Sequence, residues 1–192
     1  MTHRHRPVPR VRSARRARPL TSAVAAASAL AVLAGCSGSG HKAASGPLTV
    51  SSVFADGAFI PIGYTCGSAN ESPPVTWSGV PSGTVEQAVV LEDLDVHPVP
   101  FVHWVISGLP PSLRSLARAA APTGAVVSQD SSGQSAYFGP CPPSGATHHY
   151  RLTVYALRHK AQLTAGTTAA AAVAALNSDA LAHASITGLF SR

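Results

Sequence analysis

Proline sets the first limit on this chain. Three segments, "SPPVTWSGVPSG" (Ser72–Gly83), "GLPPS" (Gly108–Ser112) and "FGPCPPSG" (Phe138–Gly145), are dense in Pro and Gly. Proline lacks the N–H that a helix interior or a central ladder needs, so these segments read as ordered loops or edge segments. Short apolar stretches lie between them. "LTVSSVF" (Leu48–Phe54), "AVVLEDLDV" (Ala88–Val96), "FVHWVIS" (Phe101–Ser107) and "HHYRLTVYAL" (His148–Leu157) alternate or carry the β-branched and aromatic residues of strands. One helix is expected over "TTAAAAVAALNSDALAHA" (Thr167–Ala184), with Thr167 or Thr168 as its cap and Asn177 at a bend or an end. The tail "ASITGLFSR" is a candidate returning strand. Many short strands with little helix describe a mainly all-β domain, a sandwich or a barrel.

The formal charge of +6 does not describe that domain. Seven of the fourteen Lys and Arg residues precede residue 19, and an apolar run from Leu20 to Ala34 follows them. A basic start, a short apolar run and small residues before a cleavage point make residues 1–35 an expected export signal. The run is short for a membrane span, which needs about 20 residues. Cys36 directly follows Leu33-Ala34-Gly35, which resembles the lipobox of bacterial lipoproteins, where that Cys becomes the acylated first residue. Residues 36–46 are small and polar and read as a flexible tether, with the domain proper at 47–192. Beyond residue 35 seven bases face eight acids, a net charge near −1. A nucleic-acid partner requires a basic surface, which this domain lacks. Cys66 and Cys141 form an even pair in an exported chain and are expected to be bridged.

In a domain so sparsely charged, "LEDLDVHPVPFVHW" (Leu91–Trp104) gathers Glu92, Asp93, Asp95, His97 and His103 between apolar residues. Strand alternation would put Asp93, Asp95 and His97 on one face, Phe101 and His103 on one face of the next strand, and His148 and Tyr150 on one face of a fourth. His149 then points away and reads as surface, while Trp77 and Trp104 read as core. Buried acids and imidazoles are costly without partners, so a self-satisfying or ligand-satisfying cluster at the strand ends is the economical arrangement.

Three motifs in order, "SPPVTWSGVP" (Ser72–Pro81), "EDLDVHPVPFVHWVISGLP" (Glu92–Pro110) and "FGPCPPSGATHHYRLTVYAL" (Phe138–Leu157), resemble the phosphatidylethanolamine-binding proteins in their bacterial Raf-kinase-inhibitor-like branch. The resemblance runs from about Leu48 to the C-terminus. It implies two antiparallel sheets with Greek-key links, a C-terminal helix and a small anion pocket. The pocket positions map onto Asp93, Phe101, His103, Gly139, Pro142, Pro143, His148 and Tyr150. Leu94 replaces the family's Pro between the two acids and Val96-His97 replaces Ala-Pro, so His97 either adds a cation to the rim or faces solvent. Imidazoles, a phenol and loop N–H groups suit a phosphate or phosphomonoester, a carboxylate suits an ammonium head group, and Pro142 and Pro143 shape a rigid wall.

The expected protein is therefore an exported, non-catalytic domain held by a lipid on Cys36 at the outer face of the cell membrane. It would bind small anionic or phospholipid head-group ligands, with no cofactor. Asp93, Asp95, His97, His103 and His148 include metal-ligand types, but their spacing matches no standard zinc motif, and no metal is expected. Ser144 sits in no Gly-x-Ser-x-Gly elbow, so an esterase is not expected. A secreted protease-inhibitor-like interaction protein stays open as the alternative. Kinase inhibition does not suit a chain that leaves the cytoplasm.

Overall fold

The computed structural model describes residues 46–192. The expected export signal at residues 1–35, Cys36 and nearly all of the expected tether lie outside the described residues. Among the described residues the strands are β1 (Thr49–Ser52), β2 (Val75–Ser78), β3 (Glu86–Asp93), β4 (Phe101–Leu109), β5 (Ser115–Leu116), β6 (Val126–Val127), β7 (Thr147–Leu157) and β8 (Ala180–Ser191), with one α-helix, α1 (Ala169–Asp179), before β8 and a 3-10 turn at Ile62–Tyr64. A three-stranded sheet runs β1-β2-β5 and a five-stranded sheet runs β6-β4-β3-β7-β8. Their ladders are antiparallel throughout.

The five-stranded sheet is covered on both faces, which explains why all eight residues of β3 are buried rather than every second one. One face sends Val89, Leu91, Ile106, Leu152 and Val154 against Val75, Trp77 and Leu116 of the smaller sheet. The other sends Ala88, Val90, Val105, Tyr155 and Leu157 against Ala169, Ala172 and Leu176 of α1. Gly188 of β8 permits close approach, since a Cβ there would lie 2.5 Å from Ile60 Cγ1.

Two expectations are corrected. The helix starts after Thr168, whose hydroxyl accepts from the Ala171 N–H, and it ends at Asp179, close to the end expected at Asn177 and short of Ala184. From Ala180 the chain is strand, paired with β7 from Leu157↔Ala180 to Thr147↔Ser191. Alanine favours helix by a fraction of a kcal/mol per residue, and a long ladder against a buried strand outweighs that preference. The second correction concerns "SPPVTWSGVPSG". It contains β2, the middle strand of its sheet, because Pro73 and Pro74 stop just short of Val75 and leave Val75–Ser78 free to pair on both sides.

A bulge lies where β3 meets β4. Leu91 pairs with Trp104 and Glu92 with Val102, so His103 is the extra residue on β4. A bulge puts consecutive side chains on one side of a sheet and re-aims the extra one.

Candidate functional site

The site forms where β3 ends and β4 and β7 begin. Asp93, the last residue of β3, lies opposite Phe101 on one side and Tyr150 on the other. His148 is two residues before Tyr150 and so shares its face. The Asp93 carboxylate is buried, and its Oδ2 lies 2.7 Å from His148 Nδ1. Its Oδ1 accepts the Asp95 N–H at 2.9 Å, an Asx turn that ends the strand.

Asp95 and His97 do not continue the face of Asp93, because the chain leaves the sheet after Asp93. Asp95 is exposed and turns to His149, accepting its backbone N–H and lying 3.0 Å from its Nδ1. The His149 backbone N–H holds the Asp95 carboxyl below the ordinary carboxylate range. His149 thus fastens the loop after β3 to β7, a role beyond the plain surface position read from alternation. His97 is exposed and precedes a cis proline, Pro98.

His103 is 3% exposed and surrounded by rings: Phe101 at 4.7 Å, Phe138 stacked at 5.4 Å and Tyr150 edge-on at 5.4 Å. Its Nδ1 lies 2.8 Å from the Phe138 carbonyl oxygen, and its own carbonyl accepts the Phe138 N–H. A carbonyl only accepts, so Nδ1 carries the hydrogen. Burial lowers the pKa of His103, partly offset by the Phe138 carbonyl and the charges of Asp93 and Asp130. The ring is therefore held neutral.

Tyr150 is 0% exposed, and among the described residues its hydroxyl makes no hydrogen bond of ordinary length and angle, although the Asp93 carboxylate and the Cys141 main chain lie near it. Burial pushes its pKa well above the ordinary phenol value, the Asp93 carboxylate pushes it further, and the Cys141 backbone amide acts the other way. The group stays a phenol with an unused donor. His148 stacks against the same ring at 6.4 Å, so two imidazoles approach Tyr150.

The wall is the Phe138–Pro143 loop. Gly139 gives its N–H to Asn70 Oδ1 at 2.7 Å, and a Cβ on Gly139 would lie 2.6 Å from the Tyr64 carbonyl oxygen. Gly139 therefore seats the loop against residues 64–70, and its N–H is engaged. Cys66 and Cys141 are bridged, with Cα atoms 5.4 Å apart. The Cys66 N–H donates to the Pro140 carbonyl, and Arg192 Nη1 lies 3.3 Å from Cys141 Sγ. Pro142 is buried and Pro143 exposed.

Three participants were not read from the sequence. Asp130 is buried, with Oδ1 accepting from Ser132 N–H, Ser132 Oγ and Gln134 N–H and Oδ2 unpaired. Its Asp-Ser-Ser-Gly setting is a turn signature, which signals the loop but not its nearness to His103. The others are main-chain groups, the Phe138 carbonyl and the Cys141 amide, which no residue type announces. Asp93, Asp95 and His148 bring ligand-type atoms within 4.8 Å of one another. The contact between Asp93 and His148 is a hydrogen bond, so that pair is satisfied by a proton.

The family model described as phosphatidylethanolamine-binding protein matches residues 50–191. Among curated relatives, LppC of Mycobacterium tuberculosis, named as a candidate lipoprotein, is 43% identical over 146 residues, 75% of this chain and 72% of its own. A UPF0098 protein of Methanothermobacter thermautotrophicus is 35% identical over 144 residues, 72% of this chain and 95% of its own. Among solved structures, YbcL of E. coli, described as a member of the mammalian PEBP family, superposes with TM-score 0.72 at 30% identity, covering 77% of this chain and 99% of its own. A Chlamydia trachomatis PEBP homologue, CT736, gives TM-score 0.69 at 30% identity, covering 76% and 98%.

Proposed function

The chain belongs to the phosphatidylethanolamine-binding protein family, and from that membership we propose that it is an exported, lipid-anchored domain that binds a small phosphate-bearing ligand among Asp93, His103, His148 and Tyr150 without turning it over. The observation that carries the reading is the Tyr150 hydroxyl: a buried donor, unpaired among the described residues, on a ring that two imidazoles approach. Leaving a buried hydroxyl unpaired costs about 1–3 kcal/mol, a cost that a ligand oxygen removes. Such groups concentrate at sites that function requires. The disulfide and the prolines beside it keep the wall in place before a ligand arrives, which reduces the ordering cost of binding. The cluster holds no activated nucleophile: the phenol is held protonated and Asp93 is committed to His148. Anchoring through Cys36 is supported by the lipobox-like Leu33–Cys36 and by the name of the mycobacterial relative.

The test is thermal stabilisation of the mature protein by phosphate and by phosphoethanolamine. Wild type should be stabilised, and His103→Ala and His148→Ala should lose the response while keeping a cooperative melt. Equal ligand-induced shifts in wild type and both variants would reject the site.

A further inference from the structure

We propose that the site selects oxyanions that bring a proton of their own, hydrogen phosphate and the monoanions of phosphomonoesters, over sulfates of the same shape and charge. The inference rests on the anion-binding reading above and concerns which face each imidazole turns to the ligand.

The Nδ1 of His103 is committed as a donor to the Phe138 carbonyl at 2.8 Å. In a neutral imidazole the other nitrogen is then a lone pair. Among the described residues His103 Nε2 makes no hydrogen bond, so its lone pair is uncommitted. The ring is enclosed by Phe101, Phe138 and Tyr150, surroundings that oppose a second proton. His148 Nδ1 faces the Asp93 carboxylate, and its Nε2 makes no hydrogen bond among the described residues. The site therefore offers one firm donor, the Tyr150 hydroxyl, and at least one firm acceptor, His103 Nε2. A fully ionised phosphate has only acceptors and would set an oxygen against that lone pair. A P–OH group converts the clash into a hydrogen bond.

The charges around the site point the same way. Asp93 reaches it from β3, Asp130 from the loop after β6 and Asp95 from the loop after β3. Beside them lie His148 on β7, bonded to Asp93, and His149, bonded to Asp95, with the guanidinium of Arg192 at the Cys141 sulfur. Two of those carboxylates are buried, so a second negative charge on the ligand meets repulsion at low dielectric.

The probes are methyl phosphate and methyl sulfate, titrated calorimetrically into the mature protein between pH 5.5 and pH 8. Phosphomonoesters lose their second proton near pH 6, so at the acid end both esters are predominantly monoanions and differ chiefly in the P–OH. Methyl phosphate should bind at least about tenfold more tightly there, the effect of one buried acceptor left unsatisfied by the sulfate. Its affinity should then fall by roughly tenfold per pH unit above its second ionisation. Methyl sulfate does not titrate in this range and reports any dependence that belongs to the protein. His103→Gln puts an amide donor where the lone pair was and should narrow the gap between the esters. Equal binding of the two esters in the wild type would overturn the selectivity and leave the anion site standing, as would an unchanged gap in the Gln variant for the assignment to His103. No binding of either ester, with none of inorganic phosphate, would overturn the anion site and the selectivity together.

Discussion

Tyr150→Phe removes one oxygen atom and nothing else, which makes it the sharpest probe of the cluster. In the free protein that oxygen is buried and has no partner, so the hydroxyl contributes no intramolecular hydrogen bond. Removing an unpaired buried hydroxyl relieves about 1–3 kcal/mol of desolvation cost, so the free variant should be at least as stable as wild type. For a domain of roughly 150 residues each kcal/mol moves the melting temperature by about 2–4 °C, so full relief of that cost would raise it by roughly 2–12 °C. Binding should change in the opposite sense. A hydrogen bond to a charged ligand contributes about 1.5–3 kcal/mol, so its loss weakens binding by roughly 10- to 150-fold. At a phosphate concentration of 100 times the wild-type Kd, wild type gains about 2.7 kcal/mol from ligand. The variant at that concentration should gain only about 0.3–1.4 kcal/mol. Denaturant melts with and without phosphate measure both numbers. A free variant destabilised by more than about 1 kcal/mol, with its phosphate response intact, would mean that the hydroxyl serves the fold and not a ligand.

Reduction of Cys66–Cys141, which closes a loop of 75 residues, should destabilise the domain by about 4 kcal/mol in the chain-entropy model, and the non-reduced protein should show a two-proton mass deficit. Two alkylatable thiols in the exported protein would remove that prediction. Gly139→Ala forces a Cβ to 2.6 Å from the Tyr64 carbonyl and should cost about 1–3 kcal/mol in urea melts; a neutral result would show that the wall shifts freely. The lowered pKa of His103 implies that its contribution to stability is complete above the unfolded value of about 6.5 and declines as pH falls from there toward the folded value. The Asp95 carboxyl, also lowered, adds a decline at more acid pH, as pH falls below about 3.8. Melts of wild type and His103→Asn across pH 4–8 should converge as the pH falls; parallel curves would contradict the neutral, buried imidazole.

The long strands were legible because β3, β4 and β7 carry their apolar and β-branched residues in unbroken runs between proline-rich loops. The shared face of His148 and Tyr150 was legible from alternation, whereas their grouping with Asp93 came from the family resemblance, because alternation does not say which strands pair. The end of α1 was not. Ala180–Ala184 has helical composition, and only the ladder with β7 makes it strand. Nor was the bulge at His103, because pure alternation puts Trp104 on the opposite face, whereas one extra residue in the β4 ladder lets His103 and Trp104 turn to the same side. The tautomer of His103 depends on a main-chain carbonyl 35 residues away, a contact that no local pattern encodes. His149 is at the surface, as alternation predicts, but its bond to Asp95 is not legible, because Asp95 belongs to the loop and not to the strand.

The most direct test of the central claim is a crystal structure of the mature protein soaked with phosphate. The expected result is one tetrahedral anion within hydrogen-bond distance of Tyr150 Oη, with His103 Nε2 and His148 Nε2 on either side of it. Anion density elsewhere on the surface, with the Tyr150 hydroxyl bonded to protein atoms alone, would contradict the site.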